Sequence, residues 1–356
     1  MRSRSLDMSL LEKLAIQYPI FLAPMAGIGT PELAAEVSNH GGLGALGLGA
    51  SSVEDARQQI LKTQQLTDKS IHVNFFCHES VEENPETNQN WIDYLKPQFE
   101  RFGATPPTTL KCLYPSFKDN DDFLNLVLET KPKAVSFHFG LPHAHQIEAL
   151  KKAGIVTLVS ATNLAEARAI QAAGIDIIIA QGIEAGGHRG TFNQTIDSCI
   201  STVNLVKLFK TEIEIPIIAA GGIMNGFQAQ HFIKLGASGV QLGTAFVQCK
   251  SSNANEAYRQ ALFSTQPLTQ ITSSISGRPA RGLQNHWAKD IDVPERVPVA
   301  PYPYAYDIGK QLNSLALQQG DTGFGAFWAG SNVAQIRELD AEALILQLRA
   351  EMHEYD

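Results

Sequence analysis

The chain of 356 residues has few cysteines, and they are not arranged as a disulfide or zinc framework. Its four cysteines, Cys77, Cys112, Cys199 and Cys249, lie far apart and form no Cys-x-x-Cys pair. Disulfide-stabilised secreted domains and structural zinc sites depend on closely spaced cysteine or histidine residues. We therefore expect reduced, mostly packed thiols and no metal site.

Long apolar runs and clusters of basic residues are also absent. No apolar stretch approaches the ~20 residues that a membrane-spanning helix requires. The charges that follow Met1–Asp7 interrupt the apolar region that a signal peptide needs. The formal net charge is -8 and Lys and Arg are dispersed, which argues against nucleic acid as a partner. We expect a cytoplasmic monomer or homodimer with a small-molecule partner and no membrane partner.

What the sequence does contain is a regular alternation of short β-like runs and helix-length amphipathic stretches. Hydrophobic residues make up 44% of the chain and charged residues 18%, as in an ordinary globular protein with a sizeable core. Continuous apolar runs are typical of parallel strands covered by helices. The eight candidate strands are Pro19–Ala23, Gly44–Gly47, Ile71–Phe76, Ala134–Phe139, Ile155–Val159, Asp176–Ala180, Pro216–Ala220 and Gly239–Leu242. This count predicts an α/β fold, a (β/α)₈ TIM barrel.

The alternation ends near Leu268, which predicts a C-terminal appendage of helices and loops. Ser273–Gly282 and the proline-rich stretch 294–303 are interpreted as long connections, followed by helices near 307–319 and 333–350. We therefore divide the chain into a barrel (1–265), an appendage or lid (266–335) and a C-terminal helix that packs back on the barrel (336–356). The stretch 78–130 is left unplaced.

Polar and glycine residues recur where the predicted strands end. In barrels of this kind, chemistry lies at the C-terminal ends of the strands and in the loops that follow. Gly221–Gly222 and Gly243–Thr244 end the last two strands before predicted helices. Because glycine lets an anion approach backbone N–H groups, and because a helix N-terminus adds partial positive charge, these positions predict a phosphate site.

The loop after the sixth strand, Gln181–Gly190, is the densest of these features. It reads Gln-Gly-Ile-Glu-Ala-Gly-Gly-His-Arg-Gly, so that glycines surround a His-Arg pair. Glycines permit close approach to a planar ligand, and the imidazole of His188 can donate, accept or carry a proton near neutral pH. A simple turn with a solvated histidine is the alternative. The expected place at the barrel rim favours a functional role.

Two other patterns are interpreted as structural. Gly42–Gly47 matches Gly-x-Gly-x-x-Gly, but it follows a predicted helix and leads into a strand, the reverse of a dinucleotide-binding motif. His138, His143 and His145 form a local histidine cluster without nearby carboxylates, so metal binding is disfavoured. His138 is retained as a residue of the barrel rim.

Four segments together resemble the nitronate monooxygenase family, formerly called 2-nitropropane dioxygenases. They are Ala23–Gly27, Gln181–Gly190, Ala219–Ile223 and Val240–Phe246. The resemblance implies an FMN-containing barrel that oxidises alkyl nitronates, such as propionate 3-nitronate, with molecular oxygen, releasing nitrite or nitrate and a carbonyl product. The expected cofactor-binding residues are Pro24, Met25, Asn74, Gln181, Gly186, Gly187, Gly221, Gly222, Gln241, Leu242, Gly243 and Thr244.

The appendage narrows the resemblance to class I enzymes. Tyr302, Tyr306 and Lys310 repeat at a spacing of four residues, similar to the Tyr-Tyr-Lys motif of that class, and residues at i and i+4 share a helical face. The family's active-site histidine matches His188, and His138 matches a second one. We hypothesise that His188 and the Tyr-Tyr-Lys residues orient the nitro oxygens over the flavin by charge and hydrogen bonding.

Two alternatives remain at this level. The first is a related FMN barrel that uses NAD(P)H, such as a quinone reductase or an enoyl-acyl-carrier-protein reductase, which would share the flavin motifs. Rapid bleaching of the flavin by NADH would favour it. The second is a degenerate barrel that acts as a binding or scaffold protein. A colourless protein unable to take up FMN would favour that interpretation.

Overall fold

The computed structural model describes residues 10–354, so the expectation about Met1–Asp7 lies outside the described part. Eight parallel strands form a barrel: β1 (Ile20–Leu22), β2 (Gly44–Gly47), β3 (Ile71–Phe76), β4 (Ala134–His138), β5 (Val156–Ala161), β6 (Ile177–Gln181), β8 (Ile217–Ala220) and β9 (Gly239–Leu242). They follow one another in the order β1-β9-β8-β6-β5-β4-β3-β2. A parallel bridge between Phe21 and Leu43 connects the first and last of them. The predicted TIM barrel is confirmed.

The helices after residue 30 are labelled in chain order. They are α1 (Pro31–Asn39), α2 (Val53–Leu66), α3 (Pro85–Arg101), α4 (Asp121–Thr130), α5 (Ala144–Lys152), α6 (Leu164–Ala172), α7 (Thr202–Glu212), α8 (Gly226–Leu235), α9 (Glu256–Leu262), α10 (Tyr304–Gln318) and α11 (Ala341–His353). Local sequence explains several of their ends. The Thr30 hydroxyl accepts from the Leu33 backbone N–H and caps α1, while Gly236 ends α8 in a left-handed conformation. His143 is the N-cap of α5.

The two faces of the barrel strands have separate cores. In β6, Ile178 and Ala180 pack in the main cluster with the surrounding helices, whereas Ile177 and Ile179 belong to a second cluster. Because side chains alternate along a strand, this second cluster fills the barrel interior. Leu10 and Leu14, on a helical segment before β1, complete it. They pack at the end where the strands begin, and the opposite end is left for the functional site.

The appendage contains a small antiparallel sheet that the sequence did not reveal. Its strands are β7 (Gly187–His188), β10 (Thr269–Thr272) and β11 (Ala280–Leu283), in the order β10-β11-β7. The expectation that Ser273–Gly282 is only a connection was therefore wrong, since its last residues begin β11. Because β7 lies in the loop after β6, this sheet joins the appendage directly to the barrel rim.

A further correction concerns the helix at the C-terminal end of the appendage. A 3₁₀ turn occupies Val333–Gln335, and α11 begins only at Ala341, where the Asp340 side chain accepts from the Ala343 backbone N–H at 2.8 Å. The helix predicted near 333–350 thus starts later, at an Asp N-cap. It packs against α8 and α1.

The stretch 78–130 is placed by a second hydrophobic core outside the barrel. Trp91 and Phe99 of α3 pack in one cluster with Trp287 and with Leu312 of α10. The long third connection therefore supports the appendage. Among residues 10–354, no helix is long and apolar enough to cross a membrane. The same residues include no group of three or more His, Cys, Asp and Glu side chains suited to a metal ion.

Candidate active site

A cavity of about 380 Å³ lies at the C-terminal ends of the barrel strands and is bordered by the appendage. Most of the predicted cofactor-binding residues line it. They are Pro24, Met25, Asn74, Gln181, Gly186, Gly187, Gly221, Gly222, Gln241, Gly243 and Thr244. Leu242 does not line it, because its side chain is 1% exposed and packs between the barrel and the helices. His138, His188, Tyr306 and Lys310 also line the cavity, so residues from both ends of the chain meet there.

The Gln181–Gly190 loop is held by the Gln181 amide. Its Nε2 donates to the His188 carbonyl at 2.9 Å, and its Oε1 accepts from the Gly190 backbone N–H at 2.7 Å and from Arg189 at 3.0 Å. A Cβ on Gly190 would lie 2.8 Å from the His138 ring, so only glycine fits there. The Gln181 side chain therefore shapes the loop as well as lining the cavity.

Arg189 is a structural residue of this loop. Its side chain is fully buried and forms an ion pair with Asp197 at 2.7 Å. It also donates to the Gly182 carbonyl at 2.7 Å. A buried charge needs this full set of partners, and the pair lowers the pKa of Asp197 although burial of that carboxyl acts in the opposite direction. In the His-Arg pair, Arg189 thus has a structural role, whereas His188 lines the cavity.

His138 has both ring nitrogens engaged. Its Nε2 lies 3.1 Å from the His188 carbonyl, an acceptor, and must therefore carry the hydrogen. Its Nδ1 then accepts from the Ser160 hydroxyl at 2.9 Å. Burial lowers the pKa of His138 to about 4, so that the ring is neutral at pH 7.

His188 differs, because one of its nitrogens is open. Its Nε2 lies 2.9 Å from the Ser276 hydroxyl. Its Nδ1 has no hydrogen-bond partner among the described residues and is not one of the enclosed unpaired atoms, so it opens onto the cavity that the ring lines. Burial first, and then the neighbouring His138 and Arg278, lower the pKa of His188 to about 3. The ring is neutral in the resting site.

The Tyr-Tyr-Lys residues are brought together, although not on one helical face. Tyr306 and Lys310 lie on α10 and line the cavity, whereas Tyr302 precedes the helix and is not among the lining residues. Tyr302 is 1% exposed, and its ring centroid lies 5.8 Å from that of His188. Its hydroxyl has no protein partner among the described residues.

The electrostatic character of the cavity is set by Lys310. Its Nζ lies 4.9 Å from the ring centroid of Tyr114 and 5.2 Å from that of Tyr306. Burial lowers its pKa, with Asp307 opposing the shift. Among the described residues that line the cavity there is no Asp, Glu or Arg, and both histidines are neutral. Lys310 is thus the one full charge among the described wall residues, and the aromatic faces stabilise it there.

Several residues of the site were missed by sequence reasoning. Tyr114, from the unplaced stretch, and Trp328, from the appendage, both line the cavity, and the Trp328 ring centroid lies 5.3 Å from that of His188. Arg278 lies behind the wall, with its guanidinium 4.1 Å from the Phe139 ring centroid. No motif or spacing in the sequence marks them, because they come from segments that meet only in the fold.

Two features of the cavity suit a planar cofactor that carries a phosphate. Gln241 Oε1 is enclosed and has no partner among the described residues, so it is an acceptor for a ligand N–H group. Gly221 and Gly222, directly after β8, both have positive φ values, 125° and 72°. Because they have no side chain and line the cavity, a ligand can approach their backbone. The helix expected directly after Thr244 is only a 3₁₀ turn, so its dipole adds little at that position.

Comparison with known proteins shows the family of this chain. A sequence model described as "Nitronate monooxygenase" matches residues 8–351. A nitronate monooxygenase from Paraburkholderia phytofirmans is 48% identical over 97% of this chain and 94% of its own. One from Pseudomonas aeruginosa is 47% identical over 95% of this chain and 97% of its own.

Solved structures show the same relationship. A nitroalkane oxidase from Streptomyces ansochromogenes superposes with a TM-score of 0.88 at 34% identity, covering 97% of this chain and 98% of that one. FabK from Thermotoga maritima superposes with a TM-score of 0.72 at 27% identity, over 98% of this chain and 96% of that one. The matches over nearly the whole chain lead to one assignment: this chain belongs to the nitronate monooxygenase family of oxidoreductases.

Proposed function

We propose that this chain is an FMN-dependent nitronate monooxygenase that oxidises alkyl nitronates, such as propionate 3-nitronate, with molecular oxygen. The products are nitrite or nitrate and a carbonyl compound. One observation carries the proposal: the described residues of the cavity wall hold a single full charge, the ammonium of Lys310, beside two neutral histidines. In a cavity whose described wall has no carboxylate, one cation favours a small anion such as a nitronate.

The cofactor would be held by the rim of the barrel. Met25, Asn74 and Gln181 would contact it along the strand ends. Gly221 and Gly222 would bind its phosphate through their backbone N–H groups. Other members of this set are Pro24, Gly186, Gly187, Gln241, Gly243 and Thr244. When bound, FMN supplies the oxidation of the substrate and the reaction with oxygen.

The protein's own task is to bind and orient an anion. A nitronate is already the deprotonated form of a nitroalkane, so no carbon acid has to be ionised. Lys310 would balance the negative charge, and Tyr306 would add a hydroxyl donor whose pKa is raised by burial. His188, which is neutral, would border the substrate in the cavity. Tyr302 would position His188 by ring packing. His138 would position it through the hydrogen bond from His138 Nε2 to the His188 backbone carbonyl.

The remaining parts of the proposal concern partners and compartment. Oxygen is the co-substrate, as the family resemblance implies. The proposed compartment is the cytoplasm, and the proposed assembly is a monomer or homodimer.

Oxygen uptake tests this function. Purified yellow protein should consume oxygen with propionate 3-nitronate and release nitrite or nitrate, and it should show no comparable turnover with NADH plus quinone. Removal of the flavin should abolish uptake, and FMN should restore it, which is the matched control. Turnover with NADH plus quinone and none with the nitronate would refute the proposal.

A further inference from the structure

A turn of the appendage contacts His188, the histidine with an open ring nitrogen, from behind the cavity wall. Ser276 lies in the segment between β10 and β11, is fully buried, and places its hydroxyl 2.9 Å from His188 Nε2. The same hydroxyl lies 3.1 Å from the Arg278 carbonyl and 3.3 Å from the Arg278 backbone N–H. Three polar groups therefore meet one serine oxygen.

The hydrogen atoms at this oxygen can be assigned. A serine hydroxyl carries one hydrogen and accepts up to two. The Arg278 carbonyl is buried and can only accept, so the hydroxyl donates to it, and the Arg278 backbone N–H fills one acceptor position. If the hydroxyl donated to His188 instead, this carbonyl would lose its one partner among the described residues, at the cost of an unmade buried hydrogen bond. The remaining acceptor position of Ser276 thus faces His188.

This assignment fixes the proton on His188. Its Nε2 must carry the hydrogen that Ser276 accepts, and because the ring is neutral, Nδ1 is left with a lone pair. Nδ1 is the nitrogen that opens onto the cavity. His138 has no comparable freedom, since both its nitrogens are engaged.

We propose that Ser276 is a positioning residue that holds His188 in its Nε2–H tautomer and so leaves the Nδ1 lone pair facing the cavity. The catalytic meaning of this tautomer rests on the proposed function, although the tautomer itself does not. His188 is then a hydrogen-bond acceptor in the resting site and cannot donate to the oxygens of a nitronate, so the donors to the substrate are other groups of the described wall, such as Lys310 and Tyr306.

The surrounding fold keeps Ser276 in register with His188. Residues 187 and 188 pair with β11, with His188 opposite Ala280. Next to this pair, the Arg189 backbone N–H donates to the Pro279 carbonyl at 2.8 Å. A Cβ on Gly277 would lie 2.4 Å from the Tyr302 backbone N, so the turn is packed tightly against the segment before α10. The serine is thus carried by the same small sheet that carries the histidine.

Nitrogen NMR of the FMN-loaded protein, labelled with ¹⁵N in the histidine rings, reads the tautomer directly. His188 can be assigned from the signals that disappear in His188→Asn. In the wild type, Nε2 should appear protonated and Nδ1 unprotonated at pH 7. In Ser276→Ala, Nε2 loses its acceptor while Nδ1 still opens onto the cavity, so a substantial Nδ1–H population should appear. A wild-type spectrum with Nδ1 protonated would overturn the proposal, whether or not any variant folds.

Ser274→Ala is the matched control. Ser274 is equally buried in the same segment, but its hydroxyl donates to Asp292 at 2.9 Å and does not touch His188. Its spectrum at His188 should equal that of the wild type. Equal changes in both serine variants would mean a general loosening of the turn, and no change in Ser276→Ala would mean no tautomer selection; either result would overturn the proposal. Ser276→Cys, a weaker acceptor, should lie between wild type and Ser276→Ala.

The NMR result needs no substrate. A wild-type enzyme with the expected tautomer but without nitronate-dependent oxygen uptake would therefore contradict the proposed function and leave the tautomer assignment intact.

Discussion

At the scale of single residues, one ammonium group decides which ligands the cavity favours. Lys310 lies between two phenol rings, and among the described residues that line the cavity it has no charged neighbour. Desolvation lowers its pKa, while Asp307, on the same helix, opposes that shift. The site therefore holds one positive charge and has nothing in its described wall to cancel it.

Replacing Lys310 by Met should weaken nitronate binding without removing the flavin. Loss of a charged hydrogen bond of about 1.5–3 kcal/mol corresponds to a rise in KM of roughly 10- to 100-fold. Steady-state oxygen uptake over a range of nitronate concentrations measures it, and the flavin absorbance of the purified variant measures cofactor content. Lys207→Met, which removes an exposed lysine of α7, is the control for net charge and should behave as the wild type. An unchanged KM in Lys310→Met would contradict the role of this residue.

The sequence predicted the residues that follow apolar strands, and it missed those that reach the cavity from other segments. Gly222 and Gln241 lie in or directly after a barrel strand, and His188 lies in the loop that follows β6, so the barrel rule is enough to locate them. Tyr114 and Trp328 come from the third connection and from the appendage, and only the packing of α3 against α10 brings those segments to the rim. Contacts of this kind depend on tertiary packing and leave no local pattern.

At the scale of secondary structure elements, the pairing of β7 with β11 is the link between barrel and appendage. These strands have two and four residues, and β11 reads Ala-Arg-Gly-Leu, which lacks both alternation and a continuous apolar run. Sequence patterns therefore could not predict them, whereas the barrel strands are recognisable because both of their faces are buried. The turn before β11 is tightly packed and makes this link sensitive to substitution.

Gly277→Ala should destabilise that turn. Gly277 has φ +90°, and a Cβ there would lie 2.4 Å from the Tyr302 backbone N and 2.6 Å from the Ala300 carbonyl oxygen. Left-handed strain and a backbone clash together should cost about 3 kcal/mol or more. Gly103→Ala is the control, since Gly103 has φ +68° but a Cβ there would meet nothing within 4 Å, which leaves about 1–2 kcal/mol of backbone strain. Urea unfolding compares the two, and equal losses would refute the packing argument.

At the scale of the whole molecule, the interior holds four histidines in the neutral state. Burial is the largest cause in each case: it lowers the pKa of His72, His78 and His138 to about 4 and that of His188 to about 3. The unfolded chain takes up protons near the ordinary histidine pKa of about 6.5, where the folded chain does not. Their contribution to stability is therefore fully present above about pH 6.5 and is lost as the pH falls toward 4.

The free energy of unfolding should accordingly fall between about pH 6.5 and about pH 4.5, with each histidine adding up to about 1.4 kcal/mol per pH unit. His72→Leu isolates one contribution, because both ring nitrogens of His72 are fully buried without a partner among the described residues. This variant should be more stable than the wild type by about 1–3 kcal/mol at pH 7 and should have a shallower pH dependence. Urea unfolding at several pH values measures both. Destabilisation at pH 7 with an unchanged slope would contradict the account.

The central claim is that this member of the nitronate monooxygenase family uses its flavin to oxidise an anionic substrate. Anaerobic mixing of the FMN-loaded protein with propionate 3-nitronate and, separately, with NADH tests it most directly, with the flavin absorbance as the readout. We expect the nitronate to change the flavin spectrum within the time of turnover and NADH to leave it unchanged. Rapid bleaching by NADH and no response to the nitronate would contradict the claim.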